Sequence, residues 1–512
     1  MAMPLPVEDG PNTDDARRAV TILNRLADEL RLRETATRRR LDYYRGVHKL
    51  CYASPEFRDY FADRFTGFSD NWCGPVAAAP AERMNVLGIR LDSDTKPDEG
   101  LSRAWRAADC ERGSSEAFVV TLAAARSYGL VWGNPRDDQT PRITWERPDQ
   151  AIVAYDSDTG ERAAALKLWA DDTTEYATLY TASDVWKFQR PRYARNGYSV
   201  SGLIVPAESL VRSAGPEGWQ MRHPPSDDTW PIPNPMGEVP MVELRNQTLL
   251  DDNPISDIDG VIAMQDAINL TWAYLMNSLD FASLPQRVVM GADVPKIPIL
   301  DSNGVKVGDR PIELDTLIKE RILWLTGDAK IGNWPAADLG AYSNVIERAI
   351  EHLAAQTRTP PHYLIGKVAN LSAEALTAAE TGLVSKTGER IVYVNSGIRD
   401  IYSLMANAMG DDAKAKAARS GTVMWGDVQF RALAQKVDAL MKLKGMGFPL
   451  EWIAEQYGLE PPEVARVMRM REAELEADPM AMMLNGKPAL PEGPSPAQPG
   501  EDPFAVAAPP VG

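Results

Sequence analysis

Cysteine is almost absent from this chain. Cys51, Cys73 and Cys110 are the only three in 512 residues, and they are widely spaced with no CxxC pair. That excludes a disulfide framework and a paired-thiol zinc site, so a reducing compartment is the simplest setting. Basic charge is also short: 55 Lys and Arg stand against 72 Asp and Glu, for a formal net charge of −17. Affinity for nucleic-acid phosphates comes from cations that neutralise them, so DNA contact in this chain is expected to be weak or local. The opening MAMPLPVEDGPNTDDARR lacks a signal-type apolar core, and longer apolar stretches are broken by charge or proline. A soluble protein made in the cytoplasm, with no membrane partner, is expected. Catalytic signatures are missing too: there is no GxxxxGK[ST] loop, HExxH, GxSxG elbow or Gly-rich strand-to-helix turn. No catalytic residue, metal or cofactor is assigned.

What is present is apolar residue enough, 44% of 512, to fill the cores of two to four structural units. From about Thr13 to Tyr44, Val20, Leu23, Leu26, Leu30 and Leu41 recur at helical spacing. The Arg38–Arg40 run on this helix reads as a solvated face rather than a phosphate patch. A second helix is expected over Gly100 to Tyr128. Beyond it, Ile152, Val153, Tyr155, Leu166, Leu168 and Trp169, separated by turn residues, mark β-hairpins. Asp156, Asp158 and Gly160 resemble the start of a calcium loop, but no bidentate Glu follows at the required spacing and a hairpin turn fits better.

A proline-rich crossing, WPIPNPMGEVPMVELRNQ, precedes a long helix expected from Ser256 to Ser283, with Ser256 as its cap and Asp257 and Asp259 at its positive end. Between Leu284 and Leu339 the helical period gives way to short β-like runs, PQRVVMG, RILWLTG and AKIGNWP, with an Asn303-Gly304 turn and a short helix at Leu314 to Glu320. Helix returns over Ala341 to Gln356. A longer one starts at Ser372 and continues to about Met409, with Gly382, Gly388 and Gly397 suggesting kinks or close contacts. Three short helices, broken at KGMGFP and GLEPP, follow as a small α-unit, and the Pro-, Ala- and Gly-rich stretch after Asp478 is not expected to pack.

Four histidines exist, His48, His223, His352 and His362. His352 reads as a helix-surface residue. His362, in TPPHYLIG, could donate to a phosphate or act as a base, but no carboxylate lies near it in sequence and a structural role is favoured. Trp272, Trp324, Trp334, Trp425 and Trp452 read as core or subunit-interface residues, since no basic clusters accompany them.

The order of elements is more telling than any single motif. A helix ending FASLPQRVVMG, a β-rich insertion, a return helix ending QTRTPPHYLIG, and NLSAEALTAAETGLVSKTGER opening a long helix resemble portal proteins of long-tailed bacterial viruses. LDYYRGVHKL, RMNVLGIRL, ITWERPDQAIVAYD and GFPLEWIAEQYGLEPPEVARV extend the resemblance over most of the chain. It implies an α+β portal-type fold. Residues 1–255 would be a mixed wing, 256–283 and 340–356 a stem pair, and 284–339 a clip. A tunnel loop would follow at 357–371, then a long kinked helix at 372–409, a helical crown at 410–478 and a disordered tail at 479–512.

The resemblance further implies a ring, usually a dodecamer, at the capsid vertex of a virion, threaded by double-stranded DNA in packaging and ejection. Arg358, Thr359, Pro360, Pro361, His362, Lys367 and Asn370 would contact DNA. Arg287, Val289, Met290, Ile322, Trp324, Leu325 and Trp334 would form the docking surface of the clip. The implied partners are the terminase large subunit, a head-tail adaptor, and the major capsid and scaffolding proteins. A packaging-motor nuclease or ATPase would need a phosphate loop or clustered carboxylates that the sequence does not contain. Another virion component, adaptor or capsid, would lack this series of elements.

Overall fold

The computed structural model describes residues 13–48, 50, 53–55, 59, 70–92, 94, 96–191, 219–222, 230–250, 253–283, 287–290, 296–300, 304–311, 322–325, 339–365, 373–429, 433–459 and 461–477. They form two compact units, Met1–Ala432 and Leu433–Gly512.

The first unit begins with α1 (Thr13–Arg45), whose Asp14 and Asp15 favour the positive end of the helix dipole. Ala19, Leu23, Leu26, Ala27 and Leu30 make its buried stripe. Next come α2 (Cys73–Ala81), β1 (Val86–Arg90), α3 (Glu99–Ala107) and α4 (Cys110–Ala124). The single helix expected over Gly100 to Tyr128 is therefore two helices and a strand. Asp109 at φ 54° breaks α3 from α4, and Ala125 at φ 74° ends α4 before β2 (Arg126–Trp132). Left-handed residues end a helix because its hydrogen-bond ladder cannot continue through them.

The chain continues through β3 (Arg142–Glu146), β4 (Ala151–Tyr155), β5 (Arg162–Ala170), β6 (Thr174–Thr181), β7 (Asp184–Pro191), β8 (Gln220–Met221), β9 (Ile232–Pro233) and β10 (Met241–Arg245). Strands β4 to β8 form one antiparallel sheet in sequence order, with β9 also on β7. Strand alternation sends Ile152, Leu166, Leu168, Leu179, Trp186 and Phe188 beneath α1. Ala151, Val153 and Ala165 lie in a second core with Tyr128, Leu130, Val239 and Met241. The acidic turn between β4 and β5 is the hairpin expected: the Asp156 carboxylate accepts from the amides of Asp158 and Thr159, both at 2.9 Å, and Gly160 takes φ 72°.

Helix α5 (Ile262–Ser283) begins one and a half turns later than expected, because residues 257–261 are turns. Then come β11 (Arg287–Met290), β12 (Lys296–Leu300), β13 (Lys306–Pro311) and β14 (Ile322–Leu325). Strands β12 and β13 form an antiparallel hairpin around Gly304, which stands at φ 77°. Strands β11 and β14 pair in parallel, Arg287 opposite Ile322, rather than as the two arms of a hairpin. The helix expected at Leu314 to Glu320, the AKIGNWP run and the 479–512 tail lie outside the described residues.

Helix α6 (Leu339–Thr357) packs on α5, burying Ile346, Ile350 and Leu353 in the core that holds Ile262 and Ile268. The short α7 (Pro361–Ile365) and the long α8 (Ala373–Ala408) follow. Val394, Ile398, Ile401 and Tyr402 of α8 are fully buried, and the helix lies close against the three-stranded sheet β10-β2-β3. Gly397 allows that approach: a Cβ there would fall 2.5 Å from Leu244 Cδ2. Gly388, by contrast, faces open space. Helix α9 (Asp412–Ser420) and β15 (Thr422–Trp425) close the unit, β15 pairing with β1, so these residues belong here and not with the C-terminal helices.

The second unit holds α10 (Leu433–Gly445), α11 (Leu450–Tyr457) and α12 (Pro461–Ala477), with Leu440, Ile453, Ala454 and Val464 buried. Gly458 at φ 98° caps α11, its amide donating to Glu455 O at 2.9 Å.

Candidate functional site

The described residues that follow α6, up to Ile365, are anchored to the rest of the fold. Thr357 Oγ1 donates to Leu353 O at 2.8 Å and Thr359 N to Ala354 O at 3.1 Å, which tie off the helix end. Thr359 is 2% exposed. Pro361 does not simply deflect the chain: it takes the first position of α7, where its missing N–H costs nothing. A loop over 357–371 was expected, and 361–365 of it is helical.

Arg358, at φ 55°, donates through both Nη atoms to the Glu389 carboxylate of α8, at 3.0 and 2.7 Å. The pairing holds the Glu389 carboxyl below its ordinary range and raises Arg358. Gly382 of α8 lies against Arg358: a Cβ there would stand 3.6 Å from Arg358 Cβ, an ordinary contact.

His362 gains a carboxylate that sequence distance concealed, Glu380 Oε1 at 3.7 Å from its Nε2. Glu380 also lies 3.5 Å from Arg83 Nη2, which donates to the Tyr363 hydroxyl at 2.7 Å, while Arg83 Nη1 donates to Val428 O at 3.0 Å. Arg83, just past the end of α2, thus ties Tyr363 of α7 to Glu380 of α8. Lys367 and Asn370 lie outside the described residues.

Beside this joint sits a buried ion cluster that no motif announced. Asp257, which was expected to serve the dipole of α5, instead meets Lys386 Nζ at 3.0 Å and Arg390 Nε at 2.9 Å, and accepts from Asn246 Nδ2 at 2.9 Å. Lys386 Nζ donates to Val76 O at 3.2 Å, and burial lowers the Lys386 pKa against the pull of Asp257. Ser256 is no cap of α5: its hydroxyl donates to Ala123 O at 2.6 Å and accepts from Ile258 N at 3.2 Å. Asp259 accepts both arms of Arg40, at 2.8 and 2.7 Å, so that arginine is paired rather than solvated. A cavity of about 120 Å³ adjoins the cluster, lined by Asp257, Gln356, Arg358, Lys386 and Arg390 among others. The signal available in sequence was Lys386 and Arg390 on the stripe of Leu383, Thr387 and Val394, where charge cannot stay unpaired.

In the β insertion, Val289 stands opposite Trp324 and Met290 opposite Leu325 along the parallel pair. Trp334 lies outside the described residues. On β12, β13 and the turn between them, Ile299, Val305 and Val307 are 50%, 61% and 68% exposed. Trp272 donates to Asp70 Oδ2 at 2.7 Å and Trp425 to Asn395 Oδ1 at 3.0 Å, both half-buried. His352 is exposed on α6.

The polar groups assembled here lock helices together, in a fold that carries a helix pair, a β insertion and a crossing into a long helix. The chain belongs to the phage portal protein family of the SPP1 Gp6-like type, whose family model matches residues 25–476. The portal protein of Mycobacterium phage D29 is 25% identical over 438 residues, covering 81% of this chain and 82% of that one. That of Mycobacterium phage L5 is 25% identical over 441 residues, covering 82% of each. Among solved structures, the neck of a native GTA particle computed with C12 symmetry aligns with a TM-score of 0.36 at 13% identity, over 80% of this chain and 95% of that one. The neck of an empty GTA particle computed with C6 symmetry aligns at 0.39 and 14%, over 80% and 94%.

Proposed function

We propose that this chain forms a ring, a dodecamer, at the capsid vertex of a virion, and that double-stranded DNA passes through its channel during packaging and ejection. It works without catalysis of its own. In this reading 1–255 is the wing and α5 and α6 are the stem. The 284–339 insertion is the clip that docks the terminase large subunit and later a head-tail adaptor. The long helix α8 returns to the wing, and the C-terminal helices form the crown.

The observation that carries the reading is the anchored crossing from α6 to α8. Arg358 on Glu389 and Arg83 on Tyr363 fix its root, and residues 366–372 span from α7 to α8. A short span held at both ends suits a loop presented to passing DNA with limited motion. Thr357 and Thr359 serve as its anchors, and the DNA contacts fall to Lys367 and Asn370, with Lys367 giving one sequence-independent phosphate contact per subunit. Tyr274, Leu279 and Val345 of the helix pair, 41%, 38% and 56% exposed, supply apolar area for neighbours to cover. A charge of −17 per copy keeps the channel from holding its cargo.

The test is negative-stain imaging of the purified protein, followed by packaged DNA per particle with Gly366 to Asn370 shortened. Rings with impaired packaging or retention are expected. Equal packaging would remove the loop's role, and a shortened chain unable to form rings would make the segment an assembly interface. Replacing 284–339 by a short linker should abolish terminase and adaptor binding, and survival of adaptor binding would refute the clip assignment.

A further inference from the structure

One helix runs against the charge of the chain. Over Thr13–Arg45, α1 carries nine arginines, no lysine and six Asp and Glu, a net +3 within a chain of −17. Its inner stripe is packed on the β4–β8 sheet, so the opposite face is held rigidly at the surface. On that face Arg18, Arg25, Leu32 and Arg39 follow at every seventh residue and all are exposed, a row about 31 Å long at 1.5 Å per residue. Leu32 is 83% exposed, and Ile22 beside the row is 37% exposed.

The arginines of the row are weakly engaged. Arg18 comes only within 3.9 Å of Asp15, with its side chain 81% exposed. Arg25 has no ion pair among the described residues. Arg39 lies 5.5 Å from the Tyr43 ring centroid and is exposed. A solvated face is the ordinary reading of surface charge. It does not account for an aliphatic side chain set in line with the cations, or for arginine at every basic position.

We propose that this outer row of α1 docks an acidic amphipathic helix of a different protein. Charge complementarity gives the acidity, because Asp or Glu opposite Arg18, Arg25 and Arg39 pairs with their planar guanidinium forks. Leu32 gives the amphipathic character, since its burial needs an apolar residue between those acids. The seven-residue repeat gives the helix: the row drifts only about 20° per heptad, so a helix laid along it meets all four positions. Duplex DNA fits less well, for its backbone offers phosphates to the arginines and nothing apolar to Leu32. A second copy of the chain also fits less well. No other described helix presents an exposed row of acids about an apolar residue at this spacing.

The test places the photo-crosslinking residue p-benzoylphenylalanine at Leu32 of the full chain. Cells producing the particles are irradiated, the chain is isolated under denaturing conditions, and the crosslinked peptide is identified by mass spectrometry. A net-acidic segment of another protein is expected, with the crosslink yield falling at least about tenfold when Arg25→Glu and Arg39→Glu are added. If that double variant melts lower than wild type, Arg25→Gln with Arg39→Gln takes its place, with an expected fall of at least about threefold. A crosslink to this chain, to DNA or to a segment without acidic excess would overturn the proposal, as would no crosslink or a yield indifferent to the arginines. Negative-stain imaging of the same chain reports separately on the ring reading, which stands or falls without this surface.

Discussion

Asp257→Asn is the sharpest probe of how this fold is held together. The carboxylate is the common partner of Lys386 and Arg390, with side chains 1%, 4% and 7% exposed. Removing its charge strands two buried cations, and breaking a buried pair in this one-sided way costs about 3–5 kcal/mol. Unfolding entropy near 2.1 cal/mol/K per residue over the unit Met1–Ala432 then turns that loss into a fall of about 3–6 °C in melting temperature. Lys386→Met is the contrast. It removes one buried charge while leaving Asp257 with Arg390 and Asn246, so its cost should be about 1 kcal/mol or less. The double variant should recover part of the Asp257→Asn loss, since the stranded charge is halved. Differential scanning fluorimetry of the three variants is the assay. Asp257→Asn melting within about 1 °C of wild type would refute the account of this cluster as a buried electrostatic bolt.

Other expectations follow from the same geometry. Gly397→Ala should destabilise by about 1–3 kcal/mol, because its Cβ would meet Leu244 Cδ2 at 2.5 Å and Glu243 O at 3.2 Å, while Gly388→Ala should gain about 0.5–1 kcal/mol; paired urea titrations compare them. Burial pushes the Cys73 and Cys110 thiols up to about 12, so neither should react with iodoacetamide at pH 8 until the chain unfolds, as peptide mass spectrometry would report. Glu389 is depressed below its ordinary 4.5 by Arg358, so its contribution is present above that value and is lost as pH falls through the folded-state pKa. With both side chains over two-fifths exposed, Glu389→Gln should cost at most about 1 kcal/mol near pH 7, and less as the pH is lowered.

Periodicity exposed what depends on neighbours along the chain. The stripe of Leu23, Leu26 and Leu30, the alternation through β4 and β5, the Asp156–Gly160 turn and the helices on either side of the β insertion all follow from local spacing, because one face of each element must be apolar to be buried. The family was legible in the order of those elements. Tertiary structure alone decided which charges meet. Asp257 and Arg390 are 133 residues apart, and His362 finds Glu380 only because α7 folds back on α8. Along the sequence α3, α4 and β2 look like one helix, since Asp109 and Ala125 are unremarkable until packing forces them to positive φ. Strands β11 and β14 carry no local mark of parallel pairing either, for strand direction depends on where the intervening chain travels. Local pattern fixes which face is apolar. Partner choice for a buried charge is a non-local balance of desolvation against pairing, and only the assembled fold contains both sides of it.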